Sequence, residues 1–153
     1  MRVLLTGSTG QLGIALRGSV PDCIDLICPT RKELDLSNSD SISNFLSSYQ
    51  PEWIINAGAY TSVDLAEKHS EECFSINAQA LKTFSKLLYG SEAKILQIST
   101  DYVFDGTKGS PYITSDVTNP KNKYGYSKAI AEETVLSFPG SKVLRSSWIY
   151  GPE

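Results

Sequence analysis

The amino-acid sequence predicts an α/β fold built on a doubly wound parallel sheet. Short, continuous apolar runs typical of buried strands alternate along the chain with longer segments of helical periodicity. A glycine-rich turn joins the first apolar run to the first helical segment. Alternation of this kind predicts parallel strands that are covered by helices on both faces, which is a Rossmann-like arrangement.

The first half of the chain is predicted to contain two strands and two helices. The run Arg2–Thr6 (RVLLT) is continuously apolar after its first residue, as expected for a strand buried on both faces. Gln11–Val20 places its apolar side chains on one stripe and is predicted to be a helix. Ile24–Cys28 (IDLIC) is a second predicted strand. Ser39–Tyr49 has apolar residues at i, i+3, i+4 and i+7, which predicts an amphipathic helix.

The second half continues the alternation and adds three strands. Trp53–Asn56 is the third predicted strand, and a long helical region covers residues 73–89. Lys94–Ser99 (KILQIS) is the fourth strand, a helix is predicted over 122–137, and Lys142–Ser146 is the fifth strand. Right-handed crossovers between these strands predict the order 3-2-1-4-5.

Composition excludes several classes of protein. The 153 residues suffice for one domain with a real core, and 41% hydrophobic against 20% charged residues fits a globular protein. The net charge is -3 and no basic cluster exceeds two residues, so we expect no nucleic-acid partner. No apolar run is long enough to span a membrane or to form a signal-peptide core, so we expect a cytoplasmic protein.

The end of the chain predicts a missing lobe. The sequence stops at Gly151-Pro152-Glu153, shortly after the fifth predicted strand. We therefore expect residues 1–153 to be one domain of a longer protein, whose remaining residues would build a second lobe. The three cysteines do not form ligand pairs and the single histidine, His69, is not set among them, so we predict reduced thiols and no metal site.

The glycine-rich turn reads Thr6-Gly7-Ser8-Thr9-Gly10-Gln11-Leu12-Gly13. Its G-x-x-G-x-x-G spacing differs slightly from the dinucleotide fingerprint, but the physical logic is the same. Glycines let the backbone approach a pyrophosphate, and the helix N-terminus directs free N–H groups at it. Gly13, one turn into the helix, would allow close packing of helix and strand. The alternative is a strand-to-helix turn that binds nothing.

Three further segments are candidates for the rest of a dinucleotide. No acidic residue ends the second strand, and Arg31 there favours NADPH over NADH, with a solvated loop arginine as the alternative. Asp35 and Leu36 could hold the adenine edge and face. The small residues Ala57-Gly58-Ala59 leave room for a ribose or pyrophosphate against the backbone.

Tyr124 and Lys128 are candidates for acid–base chemistry. They lie at i and i+4, so they share a helix face, although such a pair also arises by chance. Their helix follows the fourth strand, whose carboxyl end carries Thr100 and borders the expected crevice. Tyr124 can donate its phenolic proton to a carbonyl oxygen, and a Lys128 cation nearby, together with an oxidised nicotinamide ring, is predicted to lower the tyrosine pKa. Thr100 can donate a hydrogen bond to the same oxygen.

These motifs together resemble one enzyme family. The stretches TGSTGQLG, ELDLSN, NAGAYTSVDLAE, STDYVFDGTKGSPY, NKYGYSKAIAEE and LRSSWIYG resemble the extended short-chain dehydrogenase/reductase superfamily and, within it, the dTDP-4-dehydrorhamnose reductase family. The resemblance covers essentially the whole chain but only the N-terminal half of a typical member. It implies NADPH-dependent reduction of the 4-keto group of a dTDP-6-deoxy-L-hexose, a step in dTDP-L-rhamnose synthesis, and it leaves NADH open.

The resemblance also implies residue roles, which are carried over position by position. The implied cofactor contacts are Gly10, Gln11 and Leu12 at the pyrophosphate, Asp35 and Leu36 at the adenosine, and Ala59, Tyr60 and Thr61 at the centre. Tyr124 would be the proton donor, with Lys128 as its partner and as a ligand of the nicotinamide ribose. Thr100 and Asp101 would face the sugar, and Trp148 would line the substrate pocket. Some members are Mg²⁺-linked dimers, which leaves both a homodimer and Mg²⁺ open.

Two alternatives keep the fold and change the function. A non-catalytic NADP-binding regulatory subunit, like that of methionine adenosyltransferase, would bind the cofactor without turnover. An intact set of Thr100, Tyr124 and Lys128 argues against it. A nucleotide-sugar epimerase or dehydratase would differ by retaining NAD through purification.

Overall fold

A sheet of five parallel strands forms the centre of the computed structural model, which describes residues 1–151. The strands are β1 (Arg2–Thr6), β2 (Asp25–Ile27), β3 (Trp53–Asn56), β4 (Lys94–Thr100) and β5 (Lys142–Ser146). All four neighbouring pairs are parallel. The predicted α/β class and the five strand positions are confirmed. The prediction of a missing lobe rests on the last three residues, Gly151-Pro152-Glu153, and of these only Gly151 is among the described residues.

The strand order differs from the predicted 3-2-1-4-5 and is β2-β1-β3-β4-β5. The chain crosses from β2 over β1, so that β3 pairs with β1 on one side and with β4 on the other. Ile54 and Asn56 of β3 are at most 1% exposed, and a strand so buried has neighbours on both edges. β2 has three residues and an exposed Asp25, which suits an edge. The prediction failed because right-handed crossovers allow both orders.

Within residues 1–151, six α-helices and two short helical turns accompany the sheet. The helices are α1 (Gln11–Gly18), α2 (Ser39–Tyr49), α3 (Val63–Ala66), α4 (Ser70–Phe74), α5 (Ala80–Leu87) and α6 (Lys123–Leu136). A π-helical turn, Ser75–Gln79, joins α4 to α5, and a 3₁₀ turn, Asp101–Val103, follows β4. The predicted helix over 73–89 is therefore interrupted by a π turn, and α3 and the 3₁₀ turn were not predicted. Within residues 1–151, no helix has the length and apolar character needed to cross a membrane.

The main hydrophobic core lies between the sheet and helices α2, α5 and α6. Leu4, Ile54 and Ile95 stand side by side on three neighbouring strands and are fully buried. Phe84 of α5 and Val135 of α6 belong to the same cluster and are also fully buried. Since side chains alternate along a strand, the residues two positions later lie on the same face, nearer the carboxyl ends of the strands. Those positions are polar, and they separate the core from the cavity described next.

Candidate functional site

A cavity of about 770 Å³ opens at the carboxyl ends of the strands. Parallel α/β sheets bind ligands at this edge, where neighbouring connections run to opposite sides. Every residue predicted to contact cofactor or substrate, except Tyr60, lines this one cavity. These residues are Gly7, Thr9, Gly10, Gln11, Leu12, Arg31, Asp35, Leu36, Ala57, Gly58, Ala59, Thr61, Thr100, Asp101, Tyr124, Lys128 and Trp148.

The glycine turn forms the floor of the cavity through backbone contacts that tolerate no side chain. Gly7 has φ +65°, and a methyl group there would lie 2.5 Å from the Gly58 backbone nitrogen. A methyl group at Gly13 would lie 2.2 Å from the Gly7 carbonyl oxygen. The loops after β1 and β3 and the first turn of α1 are therefore in direct backbone contact. Such a surface lets a ligand approach the backbone closely.

The N-terminus of α1 presents backbone donors to this floor. The helix begins at Gln11 after the N-cap Gly10, and among the described residues no side chain caps it and no acid lies in its first turn. Unpaired N–H groups and the helix dipole favour a phosphate group here. The Ser99 hydroxyl, which also lines the cavity, is buried without a hydrogen-bond partner among residues 1–151. The residues present thus fit a dinucleotide in shape and in donor chemistry.

The segment after β2 places Arg31 at the cavity, whereas the Asp35 carboxylate is engaged in hydrogen bonds within its own turn. Arg31 is exposed, and its guanidinium lies 3.7 Å from the Glu72 carboxylate. The Asp35 carboxylate accepts hydrogen bonds from the Ser37 backbone at 2.9 Å and the Ser37 hydroxyl at 2.7 Å. These bonds hold the pKa of Asp35 below its usual value. Asp35 therefore shapes its own turn at the cavity wall.

Tyr60 does not line the cavity, and its backbone is held by a residue that the sequence did not indicate. The Asn77 side chain accepts from the Tyr60 N–H at 2.8 Å and donates to the Tyr60 carbonyl at 3.1 Å. It also donates to the Ser127 hydroxyl on α6 at 2.9 Å. Asn77 is 1% exposed and lies in the π-helical turn. Asn77 thus joins the loop after β3 to the helix of Tyr124. This role could not be predicted, because Asn77 is far in sequence from both Tyr60 and Ser127.

The start of α6 is positioned by a close backbone contact with the 3₁₀ turn. The Asn122 side chain caps the helix by accepting from the Gly125 N–H at 2.7 Å. A methyl group at Gly125 would lie 2.2 Å from the Tyr102 carbonyl oxygen. The Tyr102 ring meets the Tyr124 ring edge-on with centroids 5.8 Å apart. Gly125 therefore allows Tyr124 to lie directly beside the end of β4.

Lys128 is buried at the base of the cavity. Its ammonium nitrogen donates to the Ile98 carbonyl oxygen at 2.6 Å, and the residue is 4% exposed. Burial lowers the pKa of Lys128 to about 8, while Glu132 and Cys73 act in the opposite direction. Glu132 is itself paired with Arg145 through bonds of 2.9 and 2.6 Å.

The predicted lowering of the Tyr124 pKa, which also requires an oxidised nicotinamide ring, stays a prediction. Burial raises the pKa of Tyr124, whereas the facing Thr100 hydroxyl acts in the opposite direction. The Lys128 ammonium is bound to Ile98, so it does not offset the cost of burying a phenolate. The helical spacing placed both residues in the cavity, but it did not reveal where the lysine side chain ends.

Thr100 and Asp101 form the rim of the cavity next to Tyr124. The Thr100 hydroxyl donates to the Asp101 carboxylate at 3.1 Å and accepts from the Tyr102 N–H at 3.2 Å. It therefore caps the 3₁₀ turn as well as facing Tyr124. Asp101 is both the first residue of this turn and a cavity residue.

Trp148 lies at the mouth of the cavity with 79% of its surface exposed. Its φ of +43° is unusual for a large side chain. Its ring is parallel to that of Tyr150 at 6.5 Å. Trp148 is therefore not part of the core of the described residues, and its role as a cavity wall stays a prediction.

Tyr126 and His69 do not line the cavity. Tyr126 is exposed and packs on Phe74, and His69 is exposed before α4. The three cysteines are free thiols. Within the described range, no group of three or more His, Cys, Asp or Glu residues is placed to bind a metal ion.

Comparison with known proteins relates the chain to one family. A family model described as the RmlD substrate binding domain matches residues 1–153. A dTDP-4-dehydrorhamnose reductase from Aggregatibacter actinomycetemcomitans is 39% identical over 153 residues, which are 98% of this chain and 52% of that protein. The crystal structure of a Bacillus anthracis dTDP-4-dehydrorhamnose reductase in complex with NADP is 34% identical, with a TM-score of 0.92 over 99% of this chain and 55% of that chain.

A relative with another name matches the same residues. Methionine adenosyltransferase 2 subunit beta from Danio rerio is 36% identical over 159 residues, covering 98% of this chain and 48% of that protein. The chain spans about half the length of the curated relatives it matches.

Proposed function

Because the chain belongs to the RmlD substrate binding domain family, we propose that it is the cofactor-binding part of an NADPH-dependent reductase. The proposed reaction is reduction of the 4-keto group of a dTDP-6-deoxy-L-hexose, with NADH as the alternative cofactor. The observation that carries the proposal is that one cavity contains both the glycine floor and the Thr100, Tyr124 and Lys128 side chains. A relative with 34% identity is in complex with NADP.

The residues of the floor would hold the cofactor. The backbone donors at Gly10, Gln11 and Leu12 suit the pyrophosphate, and Arg31 at the rim suits a 2′-phosphate. NADPH, when bound, supplies a hydride to the carbonyl carbon.

Tyr124 would supply the proton. Its raised pKa keeps the phenol protonated at neutral pH, so it is in the state a general acid requires. Thr100 faces it across the cavity rim, and its hydroxyl, turned away from Asp101, would donate a second hydrogen bond to the same carbonyl oxygen. Lys128 would stabilise the phenolate once the proton has left and would donate to the nicotinamide ribose.

The substrate sugar would lie between Asp101 and Trp148. Both residues border the cavity on the side of Tyr124. Since this chain spans 52% of a dTDP-4-dehydrorhamnose reductase relative, we assign most contacts with the nucleotide sugar to a second lobe outside residues 1–153. A homodimer and a role for Mg²⁺ stay open in this proposal.

The test is NADPH oxidation by the full-length protein with dTDP-4-keto-6-deoxy-L-hexose. Tyr124→Phe removes the acidic proton and should abolish turnover while NADPH binding, followed by fluorescence, is retained. Tyr126→Phe is the matched control, since the same atom is removed from an exposed tyrosine two residues away, and its turnover should be unchanged. Normal turnover by the Tyr124→Phe variant would contradict the role of Tyr124 as proton donor.

The relative named methionine adenosyltransferase 2 subunit beta supports a second candidate, a regulatory subunit. In that case the wild-type protein would bind NADPH and would not reduce any 4-keto sugar nucleotide. Retention of NAD through purification would instead favour an epimerase or dehydratase.

A further inference from the structure

A row of buried polar side chains crosses three central strands beneath the cavity. Thr6 of β1, Asn56 of β3 and Gln97 of β4 are at most 2% exposed and stand opposite one another in register. They lie on the face that carries the main core. Burying an amide or hydroxyl is costly unless it is hydrogen-bonded, so the partners of each group are informative.

The hydrogen bonds in this row all run in one direction. The Gly58 N–H donates to the Thr6 hydroxyl oxygen at 3.1 Å, and the hydroxyl donates to the Asn56 carbonyl oxygen at 2.5 Å. The Asn56 amide nitrogen then donates to the Gln97 carbonyl oxygen at 2.7 Å. The Gln97 amide nitrogen is left to donate to the Ile98 backbone carbonyl. A backbone carbonyl can only accept, so the Ile98 carbonyl turns the Gln97 amide nitrogen towards itself, and Gln97 in turn orients Asn56. The Thr6 hydroxyl, which can donate or accept, completes the row by donating to the Asn56 carbonyl oxygen.

The row ends at the oxygen atom that binds Lys128. The Lys128 ammonium donates to the same Ile98 carbonyl at 2.6 Å. We propose that Gln97 is a positioning residue for Lys128, and that Thr6 and Asn56 hold the Gln97 amide in the orientation this requires. The inference rests on the proposed function for the role of Lys128 and adds three residues that the motifs did not assign.

The shared oxygen limits how firmly Lys128 is held. A carbonyl oxygen that accepts two donors binds each less strongly than it would bind one alone. The N–H of Gln97 also places a partial positive charge near the ammonium, which disfavours the charged form of Lys128. The ammonium uses one of its three donors on Ile98 and keeps two for partners in the cavity. The glycine floor, through Gly58, is thereby linked to the lysine.

The other titratable groups near Lys128 do not contact Gln97, so their effect on the Lys128 pKa should be the same in wild type and in Gln97 variants. Glu132 lies one turn later on α6 and is bound to Arg145 of β5. Cys73 of α4 is buried and contacts the Ser127 hydroxyl. Tyr124 lies one turn earlier on α6. None of these contacts involves Gln97, so a change at Gln97 reports on the row.

The experiment measures the pKa of Lys128 by NMR titration of its ¹³Cε resonance, which is assigned by its loss in Lys128→Met. Gln97→Glu keeps the shape of the side chain, removes the donor and adds an acid, so the pKa of Lys128 should rise by about one unit or more. Gln79→Glu makes the same chemical change at an exposed position and should leave the pKa unchanged. An unchanged pKa in folded Gln97→Glu overturns the proposal.

A second pair of variants covers the case in which Gln97→Glu does not fold. Thr6→Val removes the donor to the Asn56 carbonyl oxygen, which loosens the hold of Asn56 on the Gln97 amide and of Gln97 on the Ile98 carbonyl. The pKa of Lys128 should then rise by about half a unit. Thr6→Ser retains the hydroxyl and should titrate like the wild type. Identical titrations of Thr6→Val and Thr6→Ser overturn the proposal.

The titration distinguishes this inference from the proposed function. It needs neither substrate nor turnover, so a protein without reductase activity would still show the shifts at Gln97 and Thr6. Conversely, if the shifts are absent, Tyr124→Phe still tests the proton donor.

Discussion

The two glycines at Gly13 and Gly18 allow one substitution to be tested at two sites of the same helix. Both belong to α1, and glycine in a helix is less favourable than alanine by about 1 kcal/mol. Helix propensity alone therefore predicts that Gly13→Ala and Gly18→Ala both stabilise the protein. The tertiary contacts predict opposite effects.

The magnitude follows from the space around each Cα. A methyl group at Gly13 would lie 2.2 Å from the Gly7 oxygen and 2.7 Å from the Ser8 Cα, and both are backbone atoms that cannot rotate away. Overpacking of this kind costs about 1–3 kcal/mol, which exceeds the gain in propensity. No described atom lies within 4 Å of a methyl group at Gly18, so that variant should gain about 0.4–1 kcal/mol. We expect the two variants to differ by about 2 kcal/mol.

The assay is urea unfolding followed by tryptophan fluorescence, combined with a titration of NADPH binding. Gly13→Ala should lower the free energy of unfolding and weaken NADPH binding at least about tenfold, because the helix must move away from the floor of the cavity. Gly18→Ala should bind NADPH like the wild type. If Gly13→Ala is as stable as Gly18→Ala, the inferred backbone contact is absent and the reasoning is refuted.

Three further outcomes are expected. Glu132→Gln leaves Arg145 without its buried partner and should lower the free energy of unfolding by about 3 kcal/mol in urea, whereas exposed Glu133→Gln should not. The pKa of Lys128 lies near 8 in the folded state and at 10.5 when unperturbed, so the unfolded chain binds more protons between these values. The free energy of unfolding should therefore rise from pH 8 to 10.5 relative to Lys128→Met, and parallel pH profiles would contradict this. Arg31→Gln should weaken NADPH binding and spare NADH; equal losses would remove Arg31 from the 2′-phosphate site.

The strands and the cavity floor could be predicted from sequence because their signals are local. The run RVLLT at Arg2–Thr6 indicates a strand buried on both faces. The glycines Gly7, Gly10 and Gly13 indicate where the backbone needs conformational freedom or close contact. The carboxyl ends of parallel strands meet at one edge, so these segments were also expected to come together. The cavity contains nearly all of them.

The failures concern contacts between segments that are distant in sequence. The position of β3 depends on which neighbour best covers Ile54 and Asn56, and handedness alone does not decide it. Asn77 and Gln97 have no recognisable role in the sequence until the fold brings Tyr60 next to Asn77 and Asn56 next to Gln97. The burial that raises the pKa of Tyr124 comes from elements outside its own helix.

By itself, the sequence determined the α/β class, the glycine floor and the spacing of Tyr124 and Lys128, since periodicity and backbone freedom are properties of neighbouring residues. The tertiary structure alone decided the order of the strands, the binding of Lys128 to Ile98 and the buried row that leads to it. The physical reason is that burial and hydrogen-bond direction are set by side chains about 40 to 50 residues apart in the chain, such as Thr6, Asn56 and Gln97. These partners become neighbours when the sheet forms.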